Sequence, residues 1–378
     1  GLRRIHAAFQ LGKEGGGRPR RRTGKDVVIL GAGTIGRATL DLLAASPQRF
    51  ASLRVVAVID RGGVAEKGAG FEPEELAAIA AHKRAGGRLA ELPSGRATTP
   101  REALDALARR ALIRPVIVDL TAEDTAPLLR TMASAGFDVV LANKRPLTGP
   151  YPEYRELLGT LEAHGGRLRH EATVGAGLPL ILAVRQLIGT GDKVRRLEGA
   201  LSGTLATVLS ALDDGTPFSD AVRRARAGGM TEPDPRDDLS GTDVARKALI
   251  LDRLLGHRRD LDDVAVDSLV RRGARASAEA WLDGLSREDA AWRAQAETAH
   301  ADGKVLRYVA TITPAKVEVG LRAIPRDHPL GQLTGSANRL VITSGRYHES
   351  PLVITGPGAG PDVTATGVLA DLLSLTGA

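Results

Sequence analysis

Short apolar runs alternate with helical patterns along the first part of the chain. The apolar runs hold four or five residues each and are rich in valine, isoleucine and leucine, as in strands covered on both faces of a sheet. They lie at residues 27–30, 55–59, 115–119 and 138–141. Stretches typical of helices follow or separate them, near residues 38–43, 73–84, 101–112 and 124–135. Strand–helix–strand repetition with short turns predicts an α/β fold, a Rossmann-type doubly wound parallel sheet.

The pattern changes after about residue 165. A glycine-rich turn at 171–177 leads into a helix that begins near Leu178, and the runs 307–312 and 316–321 are alternating or apolar. Such runs are typical of an antiparallel sheet with one covered face. A second glycine-rich segment precedes a helix at about 362–375. We therefore expect a separate α+β domain with a mixed or antiparallel sheet, suited to binding a substrate.

Composition excludes several classes of protein. Apolar residues make up 43% and charged residues 26% of the 378, which is the globular average and not that of a disordered or fibrous chain. No apolar run approaches the roughly 20 residues of a membrane helix. Cysteine is absent from the sequence, so disulfides, thiolate nucleophiles and cysteine-bound metals are excluded. Without an apolar targeting segment at its start, the sequence predicts a cytoplasmic protein.

The net charge of +7 comes entirely from the start of the chain. Residues 1–25 hold eight lysines and arginines against one acidic residue, Glu14, and the remainder carries equal numbers of basic and acidic residues. A nucleic-acid surface needs a concentrated basic patch on the folded body. The sequence therefore predicts no nucleic-acid partner, although an arginine-rich tail that binds nucleic acid is the alternative to test.

A dinucleotide signal follows the first apolar run. Gly31, Gly33 and Gly36 form G-x-G-x-x-G between a predicted strand and a predicted helix. Asp60 follows 24 positions after Gly36, at the end of the next strand. In this context the glycines permit a tight turn, close approach of the pyrophosphate and close packing of helix on strand. Asp60 favours NAD, whereas Arg61 could hold the 2′-phosphate of NADP, so both cofactors remain candidates.

The densest polar segment runs from Thr231 to Lys247. Its prolines, Pro233 and Pro235, predict that residues 232–241 form a stiff loop and not a helix, and a helix is expected from about Thr242 to Leu255. Asp243 and Lys247 stand four residues apart, on a stripe beside the apolar stripe of that helix. An Asp–Lys pair at this spacing is often only a surface salt bridge. The alternative is a cleft in which acids and a lysine converge.

The same segment, 231–247, resembles the signature of the homoserine dehydrogenases, NAD(P)-dependent enzymes that interconvert aspartate 4-semialdehyde and homoserine. Other segments that match this family in order are Asp119–Thr121, Ala142–Lys144, His170–Pro179, Leu201–Thr204 and Gly356–Asp371. The resemblance covers nearly all of residues 25–378. It implies four regions: a basic linker or tail of a preceding domain (1–24), a dinucleotide-binding domain (25–165), a substrate-binding and dimerisation domain (166–345) and a C-terminal return to the dinucleotide domain (346–378).

Carried over position by position, the resemblance implies four groups of site residues. The dinucleotide would contact Gly31, Gly33, Thr34, Ile35, Gly36, Thr121, Lys144 and Gly360, in addition to Asp60 or Arg61. Homoserine would contact Gly203, Thr204, Glu232 and Asp238. Catalysis would rest on Lys247, Asp243 and Lys144. A monovalent cation, usually sodium in this family, would be held by Glu171 and the carbonyls of Val174, Ala176 and Leu178.

Several wider expectations follow from the resemblance. We expect hydride transfer with Lys247 as the acid and base, and a homodimer or higher homo-oligomer. Leu2, Ile5 and Phe9 have helical spacing, and their segment resembles the end of the regulatory region in bifunctional aspartokinase–homoserine dehydrogenases. The chain is thus expected to be the dehydrogenase part of such a fusion, active without residues 1–24 and inhibited by threonine weakly or not at all. Another amino-acid semialdehyde reductase and a non-catalytic nucleotide sensor are the alternatives.

Overall fold

Our computed structural model describes residues 24–270 and 277–376. The predicted basic tail and its helical spacing at Leu2, Ile5 and Phe9 lie outside the described residues. In the first half, the elements are β1 Lys25–Leu30, α1 Thr34–Ala45, β2 Leu53–Asp60, β3 Gly63–Glu66, α2 Pro73–Arg84, β4 Gly95–Arg96, α3 Pro100–Ala108, β5 Val116–Asp119, α4 Ala126–Ser134, β6 Asp138–Leu141, α5 Arg145–Thr148, α6 Tyr151–His164, β7 Leu168–Arg169 and α7 Leu180–Gly189. In the second half, they are β8 Val194–Ala200, α8 Gly203–Asp213, α9 Phe218–Ala227, α10 Pro235–Leu239, α11 Thr242–Leu254, β9 Val264–Val266, α12 Ala278–Gly284, α13 Asp289–Ala301, β10 Lys304–Ile312, β11 Val317–Pro325, β12 Ala337–Ser344, β13 Leu352–Pro357 and α14 Pro361–Ser374.

The first sheet confirms the predicted Rossmann-type fold. Its strands lie in the order β4-β3-β2-β1-β5-β6-β7. The five strands from β2 to β7 in this order are parallel, while β3 and β4 form an antiparallel edge. From β1 the chain turns first towards β2 and later to β5 on the other side, so the topological switch point lies at the carboxyl ends of β1 and β5. Ligands of doubly wound sheets bind at that point.

Apolar side chains cover both faces of this sheet, which explains its uninterrupted apolar strands. In β1, Val27 and Ile29 pack into one core, whereas Val28 and Leu30 pack into another. All four side chains are almost completely buried. Period-two packing on two buried faces is the expected behaviour of a central parallel strand.

The second sheet is mixed and has the order β13-β12-β8-β10-β11-β9. All neighbouring strands are antiparallel except β9 and β11, which pair in parallel. The predicted strands at 307–312 and 316–321 are confirmed as parts of β10 and β11. Helices α8 and α11 cover one face, where Leu306 and Ala310 of β10 share a core with Leu205 and Ala248. This second sheet therefore supports the two helices that carry the predicted site residues Thr204, Asp243 and Lys247.

The last helix brings the chain back to the first sheet. α14 packs against α1, and Val368 and Leu372 lie in the same core as Val27. β13 still pairs with β12 in the second sheet, beyond the boundary that the sequence places at 345. Within the described residues, no helix is both long and apolar enough to cross a membrane.

One local prediction is wrong. Residues 232–241 were expected to form a loop without helix, yet Pro235–Leu239 form the one-turn helix α10. Pro235 occupies the first turn, where a helix does not need its missing N–H, and Asp234 caps the helix by accepting a hydrogen bond from the Arg236 amide. Proline therefore starts a helix here instead of preventing one.

Candidate active site

The glycine motif forms a tight turn between β1 and α1. Gly31 has φ of +105°, and a Cβ atom there would lie 3.0 Å from the carbonyl carbon of Leu120. A Cβ on Gly36 would lie 2.1 Å from the carbonyl oxygen of Gly31, so only glycine allows this approach of helix to strand. Gly33 and Thr34 are exposed at the start of α1, and Ile35 is half-buried; no side chain caps this end. The first amides of α1 are thus available to an anion.

Asp60 ends β2 beside this turn and is already paired. One of its oxygens accepts a hydrogen bond from the Gly62 amide at 2.7 Å, and the other lies 2.8 Å from Nζ of Lys83. Only 17% of the Asp60 side chain and 15% of the Lys83 side chain are exposed. Arg61 projects outward, with 88% of its side chain exposed. The sequence did not indicate Lys83, because no local pattern connects it with Asp60.

A hydrogen-bond network at the ends of β5 and β6 fixes the position of Lys144. The amide nitrogen of the Asn143 side chain donates to Asp119 at 2.9 Å and to the carbonyl of Glu123 at 2.7 Å, while its oxygen accepts from the Arg145 amide. Thr121 donates to the same Asp119 carboxylate. Asp119 and Asn143 both lie in segments that match the family, but the sequence did not predict that they hold the segment beside Lys144 in place.

Three charged side chains meet between the two sheets. Nζ of Lys247 lies 2.8 Å from Oδ2 of Asp243, and Nζ of Lys144 lies 3.2 Å from Oδ1 of the same carboxylate. Lys247 also donates a hydrogen bond of 2.7 Å to the carbonyl of Leu201, just after β8. The three residues predicted to act in catalysis are therefore adjacent, although Lys144 belongs to the segment after β6 and the others to α11.

The cluster holds the Asp243 carboxylate in its charged form. Partial burial in the cleft would raise the pKa of Asp243, but Lys247 and Lys144 outweigh this effect and keep that pKa far below its ordinary value. Only 12% of the Lys247 side chain is exposed, against 51% for Asp243. The pair is consequently more enclosed than an ordinary surface salt bridge.

Acidic groups and a hydroxyl line the space next to this cluster. Thr204, in the first turn of α8, donates to the Met230 carbonyl at 2.6 Å and contacts Asp238 at 3.1 Å. The other oxygen of Asp238 accepts from the Glu232 amide at 2.8 Å. Burial, together with the charges of Asp243 and Asp237, raises the pKa of Asp238. The Glu232 side chain is exposed and makes no hydrogen bond with the described residues.

The predicted cation residues form a second group at the start of α7. Glu171 is 8% exposed and accepts hydrogen bonds from the amides of Ile181 at 2.7 Å and Leu182 at 2.9 Å. Val174, Ala176 and Leu178 lie in the intervening turn, in which Ala176 has φ of +56°. α14 covers the turn, and a Cβ on its Gly367 would lie 2.7 Å from the Ala176 carbonyl oxygen. Gly360, at the start of α14, has φ of +119° and is exposed.

Two buried carboxyl groups, those of Glu171 and Asp371, lie together at this turn, and the charges of Arg185 and Arg169 act on them. Burial raises the pKa of Glu171 to about 7 and that of Asp371, in α14, to about 6. Asp371 accepts a hydrogen bond from the Glu171 amide at 2.7 Å, so the two carboxyls are neighbours. Among the described residues no cluster of three or more histidine or acidic side chains could hold a metal ion. The cation site that the sequence predicts uses backbone carbonyls together with Glu171.

Comparison with known proteins identifies related chains for both halves. The family model for homoserine dehydrogenase matches residues 179–373, and the model for the homoserine dehydrogenase NAD-binding domain matches residues 31–171. A bifunctional aspartokinase/homoserine dehydrogenase of Zea mays is 44% identical over 266 residues, which are 69% of this chain and 29% of that protein. The homoserine dehydrogenase of Schizosaccharomyces pombe is 36% identical over 282 residues, covering 72% of this chain and 75% of that protein.

A solved structure resembles nearly the whole described fold. A hyperthermophilic archaeal homoserine dehydrogenase, in complex with NADPH, aligns with a TM-score of 0.72 at 25% identity, covering 93% of this chain and 98% of that chain. By contrast, the match to the bifunctional maize protein spans only 29% of that protein's length.

Proposed function

The chain belongs to the homoserine dehydrogenase family, and we propose on that premise that it interconverts L-aspartate 4-semialdehyde and L-homoserine with NAD or NADP. The observation that carries the proposal is the contact of Lys144, Asp243 and Lys247 across the space between the two sheets. This cluster lies where a substrate would meet both a dinucleotide at the first sheet and acidic groups at the second.

Lys247 is the residue suited to transfer the proton. An ammonium group has three hydrogens, and Lys247 directs one to Leu201 and one to Asp243, which leaves a third for a substrate oxygen. The bound dinucleotide supplies the hydride in reduction and accepts it in oxidation. Lys247 then donates a proton to the forming hydroxyl or removes it in the reverse direction. Lys144, on the other side of Asp243, adds positive charge beside the same oxygen.

Glu232 and Asp238 would bind the amino group of the substrate. The Glu232 side chain is exposed, and the Glu232 backbone amide holds the Asp238 carboxylate by a hydrogen bond. Two carboxylates facing one ammonium group form short, charge-assisted hydrogen bonds. Thr204 and Gly203, at the start of α8, would line the pocket between this amino site and Lys247.

The cofactor would occupy the switch point of the first sheet. The uncapped amides of α1 would bind the pyrophosphate, and Asp60 or Arg61 would contact the adenosine ribose. The NADPH complex of the archaeal relative supports an NAD(P) site. Because Lys83 offsets the charge of Asp60, the site does not exclude a 2′-phosphate as a free carboxylate would. Both cofactors are therefore part of the proposal.

The remaining assignments are also proposals. We place a sodium ion at Glu171 and the carbonyls of Val174, Ala176 and Leu178, because the buried carboxyls of Glu171 and Asp371 lie together at this turn. Self-association and a cytoplasmic location remain predictions. Bifunctional aspartokinase relatives support, but do not establish, the prediction that the chain belongs to such a fusion.

Steady-state oxidation of homoserine, with NAD and with NADP, is the direct test. We expect turnover with at least one cofactor and little turnover of the analogue lengthened by one methylene. Faster turnover of the longer analogue would favour a different semialdehyde reductase. Tight dinucleotide binding without turnover of any hydroxy amino acid would favour a nucleotide sensor.

A further inference from the structure

Arg253 lies in the last turn of α11, ten residues and about 15 Å along the helix from Asp243. Only 1% of its side chain is exposed. Such deep burial of a guanidinium group is costly unless its donors are satisfied. Four protein oxygens accept hydrogen bonds from it, namely the carbonyls of Leu147 (2.8 Å), Gly149 (2.8 Å) and Arg259 (3.0 Å) and Oδ1 of Asp260 (2.9 Å).

Two of these acceptors belong to the short segment that carries Lys144. Leu147 lies in α5 and Gly149 follows that helix directly, so their carbonyls are among those that a helix end leaves without internal partners. Asn143 fixes the other end of the segment to the strand ends of the first sheet. Lys144 thus lies between an anchor to the first sheet and an anchor to α11.

Further contacts hold the guanidinium in one place. Its carbon lies 4.9 Å from the ring centre of Tyr154 and 5.6 Å from that of Tyr151, both in α6. Asp260 accepts a hydrogen bond from the Tyr151 amide at 2.6 Å as well as from Arg253. Arg253 consequently joins α5, α6 and α11 at the end of α11 that lies opposite Asp243.

We infer that Arg253 is a positioning residue for the reaction, which sets the separation of Lys144 from Asp243 and Lys247. Both ends of α11 contact the 144–149 segment: Asp243, in the first turn of α11, contacts Lys144, and Arg253, in the last turn, contacts Leu147. If the second contact loosens, Lys144 moves relative to Lys247 even though neither lysine has changed. The inference rests on the proposed function, because it assigns Arg253 a part in that reaction.

Arginine suits this role better than lysine. Its planar fork presents five N–H donors in fixed directions, whereas a lysine ammonium is a single point with three donors on a flexible stem. Lysine at 253 would keep the positive charge but could not reach all four acceptors. Arg253→Lys therefore loosens the anchor without leaving an empty or uncharged site.

Kinetics of Arg253→Lys test the inference. We expect kcat for homoserine oxidation to fall by about ten- to a hundredfold, as small displacements of reacting groups do, while KM for the dinucleotide changes less than about twofold. Homoserine carrying deuterium at its hydroxyl-bearing carbon should show a larger isotope effect on kcat in the variant, because hydride transfer becomes more strongly rate-limiting.

Arg307→Lys is the matched control. Arg307 is also buried, and it too bonds three carbonyls (Leu306, Gly331 and Leu333) and one carboxylate, that of Asp213. Asp213 ends α8, about 14 Å from Thr204 at the other end of that helix. This control should lower the melting temperature while kcat and the isotope effect stay within about twofold of the parent.

A second variant covers the case in which Arg253→Lys does not fold. Asp260→Asn weakens one of the four acceptors, and 49% of the Asp260 side chain is exposed, so the fold should tolerate it. It should lower kcat in the same direction by a smaller factor. Parental kcat in whichever of the two variants folds, or an equal loss in Arg307→Lys, would overturn the positioning role. If the unaltered chain does not oxidise homoserine, it is the proposed function that fails.

Discussion

At the scale of single residues, one carboxylate organises the chemistry. Asp243 binds one lysine with each oxygen, so it holds both ammonium groups while remaining charged itself. The carbonyl of Leu201 then restricts the direction in which Lys247 can donate its remaining hydrogen. A flexible lysine side chain is thereby converted into a fixed proton donor.

Lys247→Ala should reduce kcat by about 10²- to 10⁴-fold, the usual cost of losing a positioned acid and base. Dinucleotide affinity should remain near that of the parent, because the glycine turn of α1 does not touch this lysine. Steady-state rates and a cofactor-binding titration measure the two effects separately. Near-normal kcat would remove Lys247 from the mechanism.

Glu232→Gln should raise KM for homoserine more than it lowers kcat. Its exposed carboxylate is free to meet the substrate ammonium, and such an interaction contributes mainly to binding. Asp237→Asn is a suitable control, since that acid is exposed in the same segment but is not assigned to the site. An unchanged KM would transfer the role to Asp238 alone.

At the scale of elements, the sequence predicts contacts within a helix but not contacts between distant segments. Hydrophobic period predicts α11, its buried stripe and the Asp243–Lys247 stripe beside it, because these depend on neighbours three or four residues away. The Leu201 carbonyl and the Arg253 acceptors could not be predicted, since backbone oxygens distant in sequence leave no pattern. The pairing of Lys83 with Asp60 was not predicted for the same reason. The one-turn helix α10 was not predicted because it depends on the capping geometry of Asp234.

Gly367→Ala tests how closely α14 must approach the turn at 174–178. The added methyl group would lie 2.7 Å from the Ala176 carbonyl oxygen, which is too near for any carbon atom. Overpacking of this kind should lower the free energy of unfolding by about 1–3 kcal/mol. Chemical denaturation of parent and variant provides the measurement.

Gly159→Ala is the matched helix control for that experiment. Gly159 is exposed in α6, and a Cβ there would meet no atom within 4 Å. Alanine favours helix over glycine by about 1 kcal/mol, so this variant should be slightly more stable than the parent. Equal effects of the two substitutions would contradict close packing at Gly367.

At the scale of the whole molecule, α14 returns to the first sheet and packs beside the elements that open the dinucleotide fold. α14 packs on α1 and delivers Asp371 to Glu171, so residues two hundred positions apart share one buried acidic turn. Both carboxyls have a raised pKa in the folded chain, which means that folding favours their protonated forms. The stability of the contact between α14 and the Glu171 turn is thus expected to depend on pH.

The linkage predicts how stability changes with pH. As pH rises from about 4 to about 7, the unfolded chain loses these protons before the folded chain does, so the free energy of unfolding falls. Burial lowers the pKa of His170 to about 3, which opposes this trend below neutral pH. Comparing Glu171→Gln with the parent isolates Glu171: the variant should lose less stability over that range.

A sodium ion at the same turn should reverse the loss. Sodium chloride, compared with choline chloride at equal ionic strength, should raise the melting temperature more at pH 8 than at pH 5, because only the ionised carboxyls attract the ion. Glu171→Gln should reduce the difference between the salts. If both salts act alike at pH 8, the turn does not bind sodium.

The ion pair of Asp60 and Lys83 has a consequence for any redesign of the proposed cofactor site. Both side chains are largely buried. Replacing only one of them to change cofactor preference would leave the other charge buried and unpaired, and many such variants would be unstable. A library that varies one position at a time would therefore lose these variants to instability before their cofactor preference could be measured. Varying both positions together, with the exposed Arg61 as a third position, would let a selection find stable sequences that prefer either NAD or NADP.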